Sequence, residues 1–528
     1  MKTPGFGESL APLRIPVFGM LWFATILGNT GSFIRDAASS WLVTDLSTSP
    51  SAVATIQAMS VLPGFLLAIF AGVLSDILDR RRLLIIIQLV LALVSVTLML
   101  LARANALTVQ LLTALTFASG TGAALMAPSW QAIVPELVSR DQLKSAIALN
   151  SLGVNIARAV GPAVAGLLLV ALGAPYAYAI DATSDLIVVG ALLRWHREPS
   201  ADYTLPERFG GAFRAGIRFG LASRELQRIL LRAAVYFLFS SAIWALLPLI
   251  ARRLLGGSAG LYGVLLGAVG LGAILGALLL PRVRARTNTD RLMLFASAVT
   301  AVIMALIALV PHRWLALPAL LVLGGAWIAA LTSLSGVTQA ILPNWVRGRG
   351  LAIYLTVFSG AMAAGSFGWG LVADGLGLAN ALLLSAGGLA LAAVLLERIP
   401  LPPGEADLSA SSHWPEPLVA APVPGDRGPV LVLVEYHIRH GDREGFLRAL
   451  QALGNERMRD GAYNCGVSED AADPRRIVEW FFVESWAEHL RQHQRVSRAD
   501  ADLQDIVLRY HTGTAPPKVS HFLALKGA

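Results

Sequence analysis

The sequence predicts an all-α membrane protein with twelve transmembrane helices in two six-helix halves, followed by a small α+β ferredoxin-like domain. Hydrophobic residues make up 55% of the chain and charged residues only 14%, whereas soluble domains carry about a quarter charged residues. Twelve apolar stretches reach the roughly 20 residues that are needed to cross a bilayer. After the last stretch, the long apolar runs give way to short alternating ones, which are typical of strands.

The apolar stretches fall into two groups of six, because a longer basic stretch at 195–227 separates the sixth from the seventh. We therefore predict an N-terminal half over 1–194, a central cytoplasmic loop over 195–227 and a C-terminal half over 228–398. The predicted helices run over 17–43, 50–75, 83–102, 106–130, 140–171, 174–194, 228–254, 258–281, 291–310, 314–338, 348–373 and 378–397.

Basic residues are concentrated in alternate loops. The net charge of +8 lies mainly in short loops beside apolar runs and forms no continuous basic face, so we exclude a nucleic-acid partner. The pattern predicts a multi-pass protein of the bacterial inner membrane with both termini in the cytoplasm. The opposite loops carry Arg103, Arg252, Arg253 and Arg313, and the Arg252–Arg253 pair is a local exception. The single cysteine, Cys465, excludes an intrachain disulfide.

The loop between the second and third apolar stretches carries a candidate conformational switch. Gly72 would let two helix backbones approach closely, and Asp76 lies where the second stretch ends. Asp79 precedes a basic cluster, which the anionic inner leaflet would hold on the cytoplasmic side. That cluster consists of Arg80, Arg81 and Arg82.

These residues resemble the cytoplasmic loop between the second and third helices of major facilitator superfamily transporters. Asp79 stands where that family has its second glycine, and Ile77 where it has a basic residue. The resemblance implies that Asp76 caps a helix or pairs with the second half in an outward-open state, with the three arginines as partners and anchors. The alternative is a loop that only sets topology.

An internal repeat supports two related halves with the same orientation. Ala-Ile-Val-Pro at 132–135 recurs as Ala-Ile-Leu-Pro at 340–343. The loop at 72–82 has a weak copy at 276–286 that lacks the acidic residues. Repeats of this kind are typical of secondary transporters.

Ionisable residues within apolar stretches are candidates for function, because burying them in a bilayer is costly. Arg35 and Asp36 lie in the outer half of the first stretch, where Asp36 could exchange protons. The alternative is that they hold helices together near the outer mouth. Asp181 and Asp185 lie four residues apart on one face of the sixth helix. We expect Asp185 to be a partner of Arg158 or a cation site, and Asp181 to be an outer-leaflet residue.

The fifth stretch combines a buried cation with a small-residue motif. Arg158 falls near its middle and would have to face a cavity or an acidic partner. Gly161, Pro162 and Gly166 make close packing and a local kink plausible, and Asn155 precedes them by about two turns. The motif resembles the Gly-Pro motif in the fifth helix of exporters of the superfamily. The alternative is a packing and gating hinge.

Other polar and aromatic residues are weaker candidates. Gln57, Gln88 and Gln131 are alternative polar contacts that are more typical of structural roles. Six aromatic residues of the second half could line a cavity, although such residues more often face lipid or another helix: Trp244, Trp327, Tyr354, Phe358, Phe367 and Trp369.

Four runs sharpen the family resemblance: Asn29–Val43, Asp79–Arg82, Ala127–Val138 and Asn155–Pro162. They look like the enterobactin-exporter-type branch of the major facilitator superfamily, whose relatives are also known as transmembrane secretion effectors. The resemblance covers about residues 10–400. It implies the fold and secondary transport, but no single substrate, because the branch includes siderophore and drug exporters.

The remainder of the chain predicts a linker and a soluble domain. Residues 399–429 are rich in Pro, Ala and Ser. Over 430–528 we predict strands at 430–438, 462–468, 476–484 and 518–525, with helices at 442–459 and 486–510. The order β-α-β-β-α-β is ferredoxin-like. It is similar to the antibiotic-biosynthesis monooxygenase domains, which implies possible homodimerisation through 430–528, with a second copy covering the open sheet face.

One helix of this domain carries a histidine pair. His489 and His493 lie one turn apart, at a spacing that suits a metal. No third ligand is evident in the sequence, so we expect no metal site and no other cofactor. A dimerising or ligand-sensing role is favoured over catalysis.

Together these features predict a secondary transporter that exports a small amphipathic molecule, such as a drug-like compound or a siderophore. No Gly-x-x-x-x-Gly-Lys-Ser/Thr nucleotide loop occurs, so we expect protons and not ATP to drive transport. The other expected partner is the lipid bilayer. Two rival hypotheses remain. One is a membrane-anchored enzyme or sensor acting on a small aromatic ligand, and the other is uptake instead of export.

Overall fold

The computed structural model describes residues 10–139, 141–196, 218–343, 345–404, 411, 417 and 419–525. This described part contains 12 helices that are long and apolar enough to cross a membrane, which confirms the predicted number of spans. They are α1 (Pro16–Leu46), α2 (Pro50–Ile77), α3 (Arg80–Arg103), α4 (Val109–Leu137), α5 (Leu143–Ala171), α6 (Ala174–Arg194), α7 (Arg224–Leu249), α8 (Ala259–Arg284), α9 (Thr289–Leu309), α10 (Arg313–Ile341), α11 (Arg347–Leu376) and α12 (Leu378–Leu396).

Most helix ends lie within a few residues of the predicted bounds, and two differ more. The sequence pattern ended the fourth helix at residue 130, but α4 continues through Pro128 and Pro135 to Leu137. Prolines are tolerated inside membrane helices, because neighbouring groups satisfy the carbonyls that they free. The seventh span does not end as a regular α-helix, since a π-helical turn at Ile250–Leu254 follows α7.

The chain divides into two compact units. The first comprises 1–202, 230–335 and 352–401, and the second comprises 203–229, 336–351 and 402–528. The first unit therefore holds most of the membrane helices. The second unit combines the soluble domain with the segment before α7 and the junction of α10 and α11.

Within the first unit, glycines bring α5 of the N-terminal half close to α8 of the C-terminal half. A Cβ atom on Gly166 would lie 2.8 Å from the Cα of Gly263. A Cβ atom on Gly263 would lie 2.7 Å from the carbonyl oxygen of Pro162. Contacts this short leave no room for a side chain at either glycine, so the two halves meet backbone to backbone at this crossing.

The soluble domain has the predicted ferredoxin-like order. Its strands are β1 (Val430–His437), β2 (Tyr463–Glu469), β3 (Arg476–Val483) and β4 (Lys518–Leu523). They form one antiparallel sheet in the order β2-β3-β1-β4. Alternate residues of β1 and β3 are buried and form the core of the domain with the helix α13 (Arg443–Arg459).

The predicted helix at 486–510 is two helices, α14 (Trp486–Arg495) and α15 (Arg498–Leu508). The break has a local cause. The hydroxyl of Ser497 caps the backbone N–H of Asp500, whose carboxylate accepts from the backbone N–H of Ser497. This capping box begins a new helix where the apolar pattern alone predicted continuity.

Candidate functional site

A cavity of ≈ 540 Å³ lies within the N-terminal half, among α1, α3, α4, α5 and α6. Its volume is within the range of small-molecule sites. None of the described lining residues carries a charge. The polar ones offer amides, hydroxyls and one indole, and they are Thr25, Asn29, Ser32, Gln88, Trp130, Gln131, Asn150 and Ser151. The cavity therefore suits a ligand with hydrogen-bonding groups on an apolar body.

The cavity lies toward one end of the helices. We call the end with Ser47–Ser49, between α1 and α2, the first-loop side, and the end with Leu78–Asp79, between α2 and α3, the second-loop side. Pro135 near the end of α4 and Ile147 near the start of α5 line the cavity. Both lie close to the second-loop side.

A buried ion-pair network lies farther toward the first-loop side. Nη1 of Arg35 in α1 donates to Oδ2 of Asp181 in α6 at 2.8 Å, and the side chains are 5% and 0% exposed. Nε and Nη2 of Arg35 contact Asp36 Oδ1 at 3.2 and 3.1 Å. Ser95 in α3 donates to Asp181 at 2.5 Å. The expectation that Asp181 is only an outer-leaflet residue leaves out this role, since its carboxylate joins α1, α3 and α6.

Gly31 of α1 leaves the space that the network occupies. A Cβ atom on Gly31 would lie 2.0 Å from Ser184 Oγ and 2.9 Å from Asp181 Oδ1. Only glycine at this position lets α6 bring Asp181 against α1. Ser95 and Gly31 were not singled out from the sequence, because neither residue type signals a buried carboxylate partner.

The network borders the cavity. Asp185 is 1% exposed and lies one turn from Asp181 on α6, and its Oδ2 has no hydrogen-bond partner among the described residues. Val188, one further turn along, lines the cavity, as does Ser32, one turn before Asp36 on α1. One guanidinium therefore faces three carboxyl groups next to the cavity wall, and Asp36 is half-exposed.

Arg158 does not belong to this network. Its guanidinium lies 5.9 Å from the ring centroid of Phe33 in α1. No ion pair between Arg158 and Asp185 occurs in the described part of this conformation, so the expected pairing is not present. The reason is that α1 packs against both α5 and α6 and keeps these two helices largely apart.

The motif in α5 packs helices together. A Cβ atom on Gly161 would lie 2.6 Å from the Cβ of Phe33, and Gly166 forms the crossing with α8. Pro162 is buried at the same crossing. Asn155 donates to the Ser151 carbonyl oxygen within its own helix, at 2.9 Å. These contacts show packing, and the gating role of the motif stays a prediction. The cavity is lined by Asn150 and Ser151, which the sequence did not single out.

The arginine cluster ties the second-loop side of the N-terminal half together. Arg80 pairs with Glu136 of α4 at 2.7 Å, and Arg81 donates to the carbonyl oxygens of Leu192 and Leu193 at the end of α6, both at 2.8 Å. Asp79 caps α3 by accepting from the Arg82 N–H at 2.8 Å. Its departure from the family glycine therefore has a local function. Glu136 could have been found from its place after the repeated Ala-Ile-Val-Pro.

The two remaining candidates of this loop are Gly72 and Asp76. A Cβ atom on Gly72 would meet nothing within 4 Å, so the expected close helix approach is absent in this conformation. Among the described residues, no atom of a neighbouring helix lies close to this position. The side chain of Asp76 lies outside the described residues.

Polar contacts join the two halves at the first-loop side. Arg252, in the turn after α7, pairs with Asp45 and donates to Thr44 Oγ1 at 2.7 Å. Ser49 donates to Asp374 of α11 at 2.9 Å. Arg253 donates to the Thr48 carbonyl oxygen. These bonds explain the two arginines that broke the charge pattern, and they link the two halves at this side.

Two of the three glutamines named as weaker candidates line the cavity. Gln88 and Gln131 line the cavity, and Gln57 does not. Of the six aromatic residues, none lines it among the described positions. Trp327 contacts Phe237 and Trp244 in an aromatic cluster of the second half, with centroid distances of 5.2 and 4.9 Å. These side chains pack helices together.

In the soluble domain, the structure supplies a third imidazole that the sequence pattern did not reveal. His521 on β4 joins His489 and His493 of α14, and one potential ligand atom of each lies within 4.8 Å of the others. The ring centroids of His489 and His521 are 4.7 Å apart. His521 was missed because it is far away in the chain.

The sequence profile described as transmembrane secretion effector matches residues 7–527. The chain is also similar to the staphyloferrin A transporter of Staphylococcus aureus, with 25% identity over 48% of this chain and 64% of the relative. It is 30% identical to the enterobactin exporter EntS of Salmonella typhi over 41% of this chain and 52% of the relative. The chain thus spans only about half to two thirds of the length of these curated relatives.

Solved structures share the fold. A bacterial homologue of the human lysosomal transporter Spinster, in an inward-facing and occupied conformation, superposes with a TM-score of 0.59 at 15% identity. The match covers 74% of this chain and 98% of that chain. The nucleoside transporter NupG gives a TM-score of 0.60 at 14% identity, over 72% of this chain and 99% of that one. At these identities the likeness shows the fold alone.

Proposed function

Because the chain belongs to the transmembrane secretion effector family, a family of major facilitator superfamily transporters and multi-pass membrane proteins, we propose that it exports a small amphipathic molecule by proton-coupled alternating access. The second-loop side would face the cytoplasm of a bacterial cell, as the clusters of arginine predict. The single observation that carries the coupling proposal is the buried Arg35–Asp181 network beside the cavity.

The cavity is the proposed substrate site. Its uncharged amides and hydroxyls would orient a polar ligand, and Trp130 would contact an apolar or aromatic part of it. The names of the two relatives, a staphyloferrin A transporter and an enterobactin exporter, favour a siderophore as substrate. A drug-like amphipathic compound with several hydrogen-bonding groups would fit the same chemistry.

The network is the proposed coupling site. Arg35 can balance the charge of only one carboxylate, yet Asp36, Asp181 and Asp185 all surround it. Protons bound from outside would neutralise the surplus charge, and their release inward would restore it. A half-exposed Asp36 and a buried Asp185 with an unpartnered oxygen give the proton an entry and a destination. This chemistry is what an antiporter needs as its access alternates.

Access would alternate between two gates. The Arg252–Asp45 and Ser49–Asp374 contacts form the outer gate, which is closed in this conformation. The second-loop candidates Gly72, Asp76 and the three arginines form the proposed inner switch. The open space beside Gly72 would be filled when the halves close at the second-loop side.

Transport in proteoliposomes tests this function. A deletion strain would first be profiled for retained metabolites, and the retained compound would be loaded into liposomes that contain the purified full chain. We expect an imposed proton gradient to drive its movement against its own gradient. Gln131→Ala should raise KM, since it removes a cavity amide, and Gln57→Ala is the matched control outside the cavity. If the proton gradient drives no movement of the compound, proton coupling is refuted. If the compound exchanges only down its own gradient, the protein is a uniporter.

We further propose that a second copy covers the outer face of the soluble domain. The strand register aligns Tyr463, Phe482, Leu431 and Phe522 across all four strands, and Phe522 is 52% exposed. A continuous apolar row of this kind is typical of an interface. Phe522→Asp should convert a dimer to a monomer in light scattering of the full chain. A wild-type monomer would refute the proposal.

A further inference from the structure

Three imidazoles meet where α14 packs beside β4. Nε2 of His489 and Nε2 of His493 are 3.3 Å apart, and His521 completes a group whose potential ligand atoms all lie within 4.8 Å of one another. A tetrahedral ion with metal–nitrogen bonds of about 2.0–2.1 Å holds its ligand nitrogens about 3.4 Å apart. The first pair already has that separation, and a small side-chain rotation would bring in the third ring.

Regular structure holds the three rings in place. One helical turn separates His489 from His493, and Ser485 caps the start of their helix. His521 is fixed by the pairing of β4 with β1, where it lies opposite Val432. The Trp486 ring packs against His489 and His521, with centroid distances of 5.5 and 6.0 Å. The cluster is therefore preorganised by a helix, a strand and a shared aromatic wall.

Two buried polar atoms at the cluster lack partners among the described residues. They are Nδ1 of His489 and Oε1 of Gln492, whose residues are 1% and 0% exposed. These residues are three apart on α14 and are a potential donor and acceptor. Metal binding at His489 Nε2 would place the ring proton on Nδ1, where the Gln492 amide oxygen could accept it. Ligating histidines commonly have an outer partner of this kind.

We propose that His489, His493 and His521 bind one divalent first-row transition ion on the soluble domain. Imidazole ligands without a carboxylate suit Zn²⁺, Cu²⁺ and Ni²⁺ and disfavour Mg²⁺ and Ca²⁺. Three protein ligands leave a fourth position for water or for an oxygen or nitrogen donor of a chelating ligand. The ion would also fasten β4, which lies at the edge of the sheet formed by the described residues, to α14.

The test uses the full chain in detergent, purified through a tag without histidine and stripped with a chelator. Zn²⁺ is the probe, measured by equilibrium dialysis and elemental analysis. We expect one Zn²⁺ per chain in the wild type. His493→Gln, whose side chain is half-buried, and His521→Gln should each lower the affinity at least about 100-fold, more than the loss of an outer partner. His440→Gln, at an exposed histidine of the same domain, is the matched control.

Two further measurements make the result independent of folding. Co²⁺ should give the intense visible absorption of a tetrahedral site in the wild type and in His440→Gln, and not in His493→Gln. Zn²⁺ should slow amide exchange in β4 of the wild type and of His440→Gln, and not in His493→Gln. Absence of stoichiometric Zn²⁺ in the wild type would show that His489 and His493 share a hydrogen bond only. Unchanged affinity in the folded His493 and His521 variants would overturn the assignment equally.

Discussion

Arg35 donates a 2.8 Å hydrogen bond to Asp181 between two helices, and the two side chains are 5% and 0% exposed. The bond joins residues 146 positions apart in the chain. A buried pair of this kind contributes little net stability while intact, but removing one partner leaves an uncompensated charge. The pair therefore holds α1 to α6 and makes the bundle sensitive to the charge of each neighbouring carboxyl group.

Neutralising Asp181 and neutralising Asp185 should have different effects on stability. Asp181→Asn removes the fully buried partner of Arg35 and leaves it the ion pair with the half-exposed Asp36. We therefore expect a measurable loss in thermal unfolding of the detergent-solubilised chain, smaller than the about 3–5 kcal/mol of a fully uncompensated buried charge. Asp185→Asn keeps the pair and removes a carboxyl group that is unpartnered at Oδ2, so stability should be unchanged or higher. Both variants should lose transport driven by a pH gradient. Normal gradient-driven transport by Asp185→Asn would remove that residue from the coupling proposal.

Gly31 is predicted to tolerate no side chain. Gly31→Ala would place a Cβ atom 2.0 Å from Ser184 Oγ, so α1 and α6 would have to separate at the ion pair. We expect a loss of about 1–3 kcal/mol, as for other overpacked cores, and weaker transport. Gly387→Ala is the matched control, because a Cβ atom there meets nothing within 4 Å. Equal unfolding temperatures for the two variants would contradict the packing argument.

Asp76 tests the inner switch. Asp76→Asn should insert into the membrane and fold normally, since it removes only a charge at the second-loop side, but it should reduce transport because the outward-open state loses a contact. Membrane abundance and initial transport rate are the two measurements. Glu444→Gln, a charge change on an exposed residue of α13, is the control for a general charge effect. A wild-type rate in Asp76→Asn would leave the loop as a topological signal only.

Arg495 and Trp345 should be energetically coupled within the second compact unit. The guanidinium lies 4.2 Å from the indole centroid, and cation–π contacts contribute about 0.5–2 kcal/mol. Arg495 also pairs with Glu488, so single substitutions mix two effects. A double-mutant cycle with Arg495→Ala and Trp345→Ala, read from amide exchange of α14, isolates the contact. Additive effects of the two substitutions would show that the contact is energetically silent.

The soluble domain should become less stable as pH rises through about 7. Burial raises the pKa of Glu456 to about 7 and that of Asp460 to about 7, and Asp500 adds to the raise. A raised carboxyl pKa means that ionisation opposes folding. The stabilisation by the protonated carboxyl groups is therefore complete below their ordinary pKa and is lost as the pH rises through about 7. Amide exchange of α13 and α15, corrected for intrinsic rate, should report this. Glu456→Gln should flatten the dependence, and the exposed Glu444→Gln should not.

The sequence alone determined the number and approximate bounds of the spans and the order of strands in the soluble domain. These follow from local requirements, because each crossing segment must be apolar over a bilayer thickness and each strand must alternate. Local chemistry also set one departure from the prediction, since the Ser497 capping box acts within a few residues of its own position.

Only the tertiary structure decided which buried groups meet. The sequence offered Asp185 as a partner for Arg158, but α1 lies between their helices, and Arg35 bonds to Asp181 instead. It likewise showed two histidines where the fold assembles three. The preference of a segment for lipid or water depends on that segment alone, so the composition of the segment reveals it. A pairing depends on which helix faces and strand positions come together, and residues far apart in the chain carry no local sign of it.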